Sequence, residues 1–213
     1  GLQPLVSEAD LSIVCQETVF AGEGEAYSGY PAFNTPEEVG DALAKTGYDI
    51  VLHATNHTLD KGSSGVLNTL DFWKKYPEIS VLGIHANQEE YETVKILEIK
   101  GVKIAVLNYT YGTNGIPVPS DKPYIVEMID HDKIQKDVLY AEENADFTIA
   151  FMHWGTEYST TPDDDQKSLA NDMSEWGTDL IIGSHPHVIE PVEWITAENG
   201  NQTLVYYSLG NFV

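Results

Sequence analysis

Short apolar runs alternate with longer amphipathic segments along this chain. The runs at residues 50–53 and 180–182 are short enough to be single buried strands. Between such runs, apolar side chains recur at the spacing of one helix face, as Val66, Leu70 and Trp73 do. This alternation is typical of strand–helix–strand units, and it predicts an α/β fold with parallel strands.

Capping residues predict where several helices begin and end. Thr35 can cap a helix in which Pro36 takes the first position and Glu38 completes a capping box. Gly47 then ends that helix, and Asp130 can cap another one further along the chain.

A third helix start is predicted at residues 161–164, where threonine, proline and aspartate follow one another. The acidic run at residues 163–165 also resembles a cation site. Because acids are preferred at helix starts and suit the helix dipole, capping is the better account of these aspartates.

Two pairs of strand-like runs are separated by turn signals and predict antiparallel hairpins. The first pair, residues 94–99 and 102–107, flanks Lys100 and Gly101. The second pair, residues 188–194 and 204–208, surrounds an Asn-Gly-Asn turn. Antiparallel strands beside parallel ones predict a mixed sheet system.

The charge composition argues against some classes of binding partner. Lysine and arginine total 11 against 34 acidic residues, which gives a net charge of -23. This excess argues against nucleic acid and anionic membranes as partners, since both need a basic surface. The sequence contains no apolar run of about 20 residues and no signal peptide. The single cysteine, Cys15, excludes an internal disulfide, and its apolar neighbours predict a buried thiol.

Three strand-like runs are followed by loops that carry histidines. The first run is followed by Asn56 and His57, the second ends at His153, and the third leads to His185 and His187. Loops at the carboxyl ends of parallel strands meet at one edge of a sheet, so we expect these side chains to converge. For the last pair, the alternative is a loop with two solvated histidines.

Glu17 also follows a strand-like run, and it adds a carboxylate to the predicted cluster. Imidazole, carboxylate and amide oxygen together form the mixed ligand set of zinc, manganese or iron at hydrolytic sites. Two metals bridged by one carboxylate can activate a water for an in-line displacement at phosphorus. His57 would then be available to protonate a leaving group or to stabilise a charged oxygen.

Four motifs in this order resemble the bacterial capsule-synthesis (CapA, poly-γ-glutamate) family of the calcineurin-like metallophosphoesterase superfamily. They are Thr55-Asn56-His57, Met152-His153-Trp154-Gly155 with Glu157-Tyr158, Gly183-Ser184-His185-Pro186-His187, and Tyr207-Ser208-Leu209-Gly210-Asn211-Phe212. The resemblance extends from about Ala9 to the last residue and implies one domain over residues 1–213. It implies a metallophosphoesterase-like α/β/β/α sandwich, with two mixed sheets flanked by helices.

The resemblance also implies a ligand set for two divalent metals, manganese, iron or zinc. Glu17 would bridge them, and the other ligands would be Asn56, His153, His185 and His187. His57 would be the catalytic acid or charge stabiliser. His53 matches no ligand of the family, so a packed or solvated role is expected. For Glu157, contact with substrate and a place on the rim are equally expected. A surface role is expected for His85, and a core position for Trp194.

Two departures from the family pattern affect these expectations. The family has an asparagine where this chain has Cys15, and its opening Gly-Asp motif should lie before Ala9. We therefore expect the sequence to be a piece of a longer protein that lacks the first strand motif. On this basis one metal would be held well, and the second site would be incomplete.

Two functions follow from the resemblance. The first is a metal-dependent hydrolase of phosphoester type in capsule or poly-γ-glutamate biosynthesis. The alternative is a non-catalytic accessory protein that binds poly-γ-glutamate or its export machinery. Both imply an anionic polymer or phosphoester as ligand, membrane-bound capsule-synthesis proteins as partners, and an extracellular or cell-surface location.

Overall fold

The computed structural model describes residues 1–22 and 24–211 of the 213-residue chain. The chain forms two compact units. The first unit comprises Gly1–Thr93 and Gly112–Glu127, and the second comprises Val94–Tyr111 and Met128–Val213. Each unit contains a sheet and its own helices, and each is described separately below.

The first unit is built around a three-stranded parallel sheet. Its elements in chain order are α1 (Gln3–Glu8), β1 (Ile13–Cys15), α2 (Glu37–Thr46), β2 (Ile50–Leu52), α3 (Gly62–Trp73), β3 (Ser80–Leu82) and α4 (Gln88–Glu92). The strands are in the order β1-β2-β3, and Val51 at the centre pairs with Val14 on one side and Val81 on the other. This topology confirms the predicted strand–helix–strand units.

Aromatic side chains fill the core of the first unit. Phe20, Phe72 and Trp73 are almost fully buried together with Val51 of the central strand. Phe72 and Trp73 belong to the last turn of α3, so the apolar face of that helix packs on the sheet. Burying such large rings contributes most of the hydrophobic stabilisation in a small core.

The predicted helix over residues 36–46 is present, but its start differs from the prediction. Pro36 occupies the N-cap position, and the Thr35 hydroxyl instead contacts the Thr18 hydroxyl. The predicted capping box with Glu38 is therefore wrong. The end is as predicted: Gly47 has a left-handed φ of 100°, which glycine adopts without strain, and ends the helix.

The second unit contains a six-stranded mixed sheet. Its elements in chain order are β4 (Lys95–Ile99), β5 (Val102–Thr110), α5 (His131–Asn144), β6 (Phe147–His153), α6 (Asp164–Trp176), β7 (Leu180–Ser184), β8 (Val192–Thr196) and β9 (Gln202–Tyr206). The strand order is β4-β5-β6-β7-β9-β8. The central four strands are parallel, and the β4–β5 and β8–β9 pairs are antiparallel hairpins. Both predicted hairpins are confirmed.

Two helices cover the sheet of the second unit. Ile134 and Val138 of α5 and Met173 of α6 are fully buried against strand residues such as Met152 and Ile181. This packing fixes the positions of β6 and β7, the two strands that end in histidine-bearing loops.

One of these two helices is capped by the predicted residue, and the other is not. Asp130 caps α5 by accepting a hydrogen bond from the Lys133 backbone N–H at 2.8 Å. Helix α6 begins later than predicted, since its N-cap is Asp163, which forms a capping box with Gln166. The prediction that Thr161 caps this helix is wrong, whereas the interpretation of the acidic run as a capping segment is confirmed.

Two further predictions about burial are wrong. The sequence predicts a core position for Trp194, yet this residue is 66% exposed because β8 lies at the edge of the sheet. Cys15, which the sequence predicts to be buried, is exposed at the end of β1. None of the helices in the described residues has the length and apolar character that a membrane crossing needs.

Candidate metal centre

Strands β6 and β7 end side by side in the second unit. Their parallel register pairs His153, the last residue of β6, with Ser184, the last residue of β7. His185 and His187 follow directly, so the topology brings three imidazoles to the same edge of one sheet. His153, His185 and His187 are called the histidine cluster below.

The rings of the histidine cluster lie within contact distance of one another. The ring centroids of His153 and His185 are 5.0 Å apart, and those of His185 and His187 are 6.0 Å apart. His153 and His185 are buried, with exposed fractions of 2% and 6%. The predicted convergence of these three side chains is therefore found within the second unit.

The backbone between the two last histidines has an uncommon conformation. His185 and His187 have φ values of 99° and 61°, on either side of Pro186. Positive φ is rare for residues other than glycine, and strained backbone of this kind concentrates at functional sites. The Pro186 carbonyl accepts a hydrogen bond of 2.7 Å from the Tyr158 N–H, which links this turn to the loop after β6.

Polar neighbours orient two of the rings. The His187 Nδ1 lies 2.9 Å from the Asn211 Oδ1, and the His153 Nδ1 lies 2.9 Å from the Ser184 Oγ. Because an amide oxygen can only accept, Nδ1 of His187 carries the proton, and its Nε2 has the lone pair that a metal requires. Phe212, which belongs to the same sequence motif as Asn211, lies outside the described residues.

Gly183 allows the strand end to pack closely. A side chain at this position would overlap the Tyr207 carbonyl group and would approach the Trp154 Nε1 to 2.5 Å. The Trp154 Nε1–H donates to the same Tyr207 carbonyl at 3.0 Å. The glycine in the Gly-Ser-His-Pro-His motif is therefore required by packing directly behind the histidine cluster.

A carboxylate also reaches this cluster. Glu157, His185 and His187 each offer a ligand atom, and these atoms lie within 4.8 Å of one another. Glu157 is exposed and His187 is partly exposed, so an ion can reach them from solvent.

An open cleft lies in the same unit. Its volume is about 400 Å³, and its lining includes Tyr111, Trp154 and the acidic residues Asp163, Asp165 and Asp172. The Tyr111 ring packs against His185 with the ring centroids 4.6 Å apart. The cleft therefore adjoins the Tyr111 ring that packs on His185, and three of its lining side chains are acidic.

Asn56 and His57 lie in the first unit, in the loop that follows β2. Both are buried, with exposed fractions of 1% and 9%. The Thr55 Oγ1 accepts a hydrogen bond from the His57 N–H at 3.1 Å, and the Thr58 Oγ1 accepts one from the Thr55 N–H at 2.9 Å. These local bonds form a tight turn that fixes the direction of both side chains.

His57 is held by a carboxylate. Its Nδ1 lies 2.7 Å from the Asp60 Oδ2, which also accepts a hydrogen bond from the Phe33 N–H at 2.7 Å. The Phe33 ring lies edge-on to the imidazole with the centroids 4.7 Å apart. The proton on Nδ1 therefore points to Asp60, and Nε2 is the nitrogen that can exchange a proton with a ligand.

Asn114 joins these two residues. Its Oδ1 accepts a hydrogen bond of 3.0 Å from the Asn56 Nδ2, and its Nδ2 lies 3.3 Å from the His57 Nδ1. This contact orients the Asn56 amide nitrogen toward Asn114, and it assigns the amide oxygen as the group that can coordinate a metal. Asn114 itself has a positive φ of 52°.

Glu17 follows β1 in the first unit. Its backbone carbonyl accepts a hydrogen bond of 2.6 Å from the Thr55 Oγ1, which places Glu17 next to the Asn56 loop. The first unit thus brings Glu17, Asn56 and His57 together, and the second unit brings the histidine cluster together. That all five predicted ligands share one pair of metals stays a prediction.

The remaining histidines have structural partners. His53 is 2% exposed and accepts a hydrogen bond from the Trp73 Nε1 at 2.9 Å, and burial lowers its pKa to about 3. It is a packed residue, which is one of the two roles that the sequence allows. A surface role is the expectation from sequence for His85, yet it is partly buried and bonded to Glu127 at 2.6 Å. His131 is exposed beside Asp172.

Sequence reasoning missed the residues that orient the ligands. They are Ser184, Asn211, Asn114 and Tyr111. Ser184 and Asn211 lie inside two of the recognised motifs, so the motifs carried a signal, but the hydrogen bonds of these residues depend on tertiary structure. The donor set of three imidazoles with a nearby carboxylate, two of the rings bonded through Nδ1, fits a divalent metal such as zinc, manganese or iron.

Several solved structures share this fold at low sequence identity. A hypothetical protein from Thermus thermophilus has a TM-score of 0.57 at 17% identity, and the match covers 98% of this chain and 68% of that protein. The sulfate thiohydrolase SoxB from Thermus thermophilus has a TM-score of 0.53 at 17% identity, over 82% and 30%. A 5′-nucleotidase precursor from Thermus thermophilus has a TM-score of 0.50 at 15% identity, over 76% and 33%. At such low identities, structural similarity is evidence for the fold alone. It confirms the metallophosphoesterase-like α/β fold class.

Two curated relatives are closer in sequence. The PGA biosynthesis protein CapA of Bacillus subtilis (strain 168) is 33% identical over 190 residues, which are 84% of this chain and 46% of that protein. The capsule biosynthesis protein CapA of Bacillus anthracis is 30% identical over 182 residues, or 83% and 43%. The chain therefore spans about half the length of these relatives.

The family model described as bacterial capsule synthesis protein PGA_cap matches residues 1–213, which is the whole chain. The order of the histidine, asparagine and glycine motifs, the fold and the relatives agree with this match. The chain therefore belongs to the bacterial capsule synthesis protein PGA_cap family.

Proposed function

We propose that this protein is a divalent-metal-dependent hydrolase of phosphoester type that acts in capsule or poly-γ-glutamate biosynthesis. The observation that carries the proposal is the histidine cluster, three imidazoles at the carboxyl ends of two adjacent parallel strands. In open α/β sheets ligands bind at this edge. The names of the two curated relatives support the biological process, and the fold supports the class of chemistry.

The proposed ligands are the histidine cluster together with Glu17 and Asn56, as the family resemblance implies. A bound divalent ion, manganese, iron or zinc, would supply a Lewis acid that polarises a phosphoryl oxygen. The protein's part is to hold the rings in one orientation. The Asn211 and Ser184 contacts do this for His187 and His153, because they fix one nitrogen of each ring.

His57 is the proposed proton donor to the leaving group. Its Nδ1 is bonded to Asp60 at 2.7 Å, which aligns the ring and leaves Nε2 to carry the transferred proton. Burial of the Asp60 side chain, which is 2% exposed, keeps water away from this pair. A positioned general acid of this kind contributes roughly 10²–10⁴-fold to rate.

The charge balance opposes an anionic substrate unless bound metal ions offset it. All 11 basic residues of the sequence are lysines, so no guanidinium fork can clamp a phosphate. The aspartates that line the cleft would repel an anionic polymer. Bound cations would offset this repulsion, and the proposed substrate is therefore an anionic polymer or phosphoester that is held mainly through metal ions.

The proposal includes partners and location. Membrane-bound capsule-synthesis proteins are the proposed partners, and the extracellular face of the cell surface is the proposed location. Both come from the capsule family to which the chain belongs. Nucleic acid is not a proposed partner, because the net charge of -23 opposes binding to phosphate backbones.

A hydrolysis assay tests the function. Purified protein is stripped of metal, reloaded with manganese, zinc or iron(II), and incubated with bis(p-nitrophenyl) phosphate and p-nitrophenyl phosphate. Metal-dependent turnover that is lost in His153→Ala supports the hydrolase. Metal binding without turnover of these esters, together with metal-dependent retention of poly-γ-glutamate, would instead support the accessory function. Neither relative's name includes a hydrolytic activity, which keeps this alternative open.

A further inference from the structure

We propose that Glu157 is a metal ligand and that Glu157, His185 and His187 form a cation site complete within the second unit. This inference rests on the proposed function and extends it. The ligand set that the family resemblance implies does not include Glu157, and the sequence predicts only substrate contact or a place on the rim. The site needs none of the residues of the first unit.

The distances suit one ion. The three ligand atoms lie within 4.8 Å of one another. Metal bonds to nitrogen and oxygen are about 2.0–2.2 Å long, so ligand atoms around one ion are roughly 3–4 Å apart. Glu157 is exposed and can close the remaining distance by rotating its side chain.

The backbone holds the carboxylate near the imidazoles. The Tyr158 N–H donates to the Pro186 carbonyl at 2.7 Å, so the residue after Glu157 is bonded to the residue between the two histidines. Tyr158 has a φ of 64°, a left-handed conformation that is costly for a tyrosine. The Tyr158 and His187 rings are 5.9 Å apart between centroids. The loop after β6 is therefore attached to the His-Pro-His turn at the position next to Glu157.

The chemistry of the three groups matches a known class of site. Two imidazoles and one carboxylate bind zinc, or iron(II), and leave further positions open for water and substrate. The His187 Nδ1 is bonded to the Asn211 amide oxygen, so its Nε2 is the nitrogen that could coordinate an ion. Among residues 1–22 and 24–211, Glu157 forms no ion pair with a lysine that would neutralise its charge.

A surface carboxylate without a ligand role makes a different prediction. Replacing it by glutamine would then weaken metal binding by roughly tenfold at most, because solvent weakens the attraction between an exposed carboxylate and a nearby ion. A ligand role predicts a large loss, since the neutral amide is a much weaker ligand at the same size.

The test is a calorimetric titration of the metal-free protein with zinc and, separately, with manganese. Four proteins are compared: the unmodified protein, Glu157→Gln, His185→Ala, and Glu143→Gln as a matched control. Glu143 is an exposed glutamate on α5 in the same unit. Thermal melting of each metal-free protein checks that the fold is intact. Glu157→Asp is added because it keeps the carboxylate and should recover part of the affinity.

We expect Glu157→Gln to weaken binding of the tightest ion by roughly 100-fold, at or beyond the upper end of the 10–100-fold that loss of an outer partner causes. Glu143→Gln should bind like the unmodified protein. If Glu157→Gln binds within roughly tenfold of the unmodified protein while His185→Ala does not, the Glu157 inference is wrong and the proposed function stands. If the unmodified protein binds no divalent ion, both are wrong.

Discussion

Two sets of histidines, one in each unit, have different kinds of partner. In the first unit His57 and His85 are bonded to the carboxylates of Asp60 and Glu127, at 2.7 and 2.6 Å. In the histidine cluster of the second unit, His153 and His187 are bonded to a hydroxyl and an amide oxygen. The Asp60 carboxylate can stabilise a proton that passes through the His57 ring, whereas an amide oxygen only accepts and so fixes the tautomer of His187.

The two sets of histidines are therefore suited to two different chemical roles. Neutral imidazoles are metal ligands, so the histidine cluster is built to hold ions. A histidine next to a buried carboxylate is built to hold and deliver a proton, as His57 is. Within one chain, the same residue type is thus adapted to two tasks by the group that its second nitrogen contacts.

The largest expected effect comes from removing a ligand of the histidine cluster. His185→Ala should reduce activity to the background rate and weaken metal binding by roughly 100-fold or more, because a first coordination bond is lost. Metal content by mass spectrometry and turnover of the aryl phosphate esters measure both. Glu143→Gln, which changes an exposed glutamate on α5 of the same unit, is the control and should change neither.

Removing the proton-holding histidine should separate catalysis from metal binding. His57→Ala is expected to lower kcat by roughly 10²–10⁴-fold with unchanged metal content, since a general acid is lost and the ligands remain. Asp60→Asn should lower kcat less and should alter the pH profile, because the carboxylate partner of the ring is gone. If His57→Ala also released the metal, the division between the two kinds of histidine would not hold.

Filling the space behind the cluster should affect stability and metal binding together. Gly183→Ala places a methyl group against the Tyr207 carbonyl, and such overpacking costs about 1–3 kcal/mol. Urea unfolding and zinc titration are the measurements. Gly29→Ala, where a side chain meets nothing within 4 Å, should leave the free energy of unfolding nearly unchanged.

Substitutions of Asn114 test whether this residue positions Asn56 and His57 in the first unit. Asn114→Gly keeps the positive φ without strain and removes the bond to Asn56 and the contact with the His57 ring, so a fall in kcat of roughly 10-fold is expected without loss of stability. Asn114→Ala should lose the same activity and also be less stable, because alanine is strained at this φ. Equal activity of the unmodified protein and the glycine variant would show that Asn114 has no positioning role.

The smallest expected effect concerns a buried acid that has no histidine partner. Burial raises the pKa of Glu190, whose Oε2 accepts a hydrogen bond from Gln166 while its Oε1 has no partner among the described residues. Because the pKa is raised in the folded state, stability should be greatest below the ordinary pKa and should fall as the pH rises through the raised value. Glu190→Gln should remove this fall, which melting temperatures across pH 4–8 would show; a parallel curve for both proteins would contradict it.

Local sequence patterns predicted most of the elements that carry the site. Strand ends at His153 and before His185 follow from apolar runs that stop at polar loops, and both hairpins follow from their turns. The start of α6 was displaced because Thr161 and Asp163 can both cap, and only Asp163 has Gln166 in place to complete the box.

Contacts between distant segments were beyond the reach of these patterns. The bond between His85 and Glu127 joins residues 42 positions apart, and the sequence around neither residue predicts this pairing. The exposure of Trp194 depends on the edge position of β8, which is decided by strand order. The distance from Glu157 to the histidines depends on the left-handed turn at Tyr158, which its sequence does not suggest.

Anomalous X-ray scattering from crystals grown with zinc or manganese would locate any ion that the histidine cluster binds. We expect an anomalous peak within about 2.0–2.3 Å of ring nitrogens of the histidine cluster, at an energy above the edge of the added metal. Data collected below that edge should lack the peak. Well-diffracting crystals with millimolar metal and no anomalous density next to His185 or His187 would contradict the account.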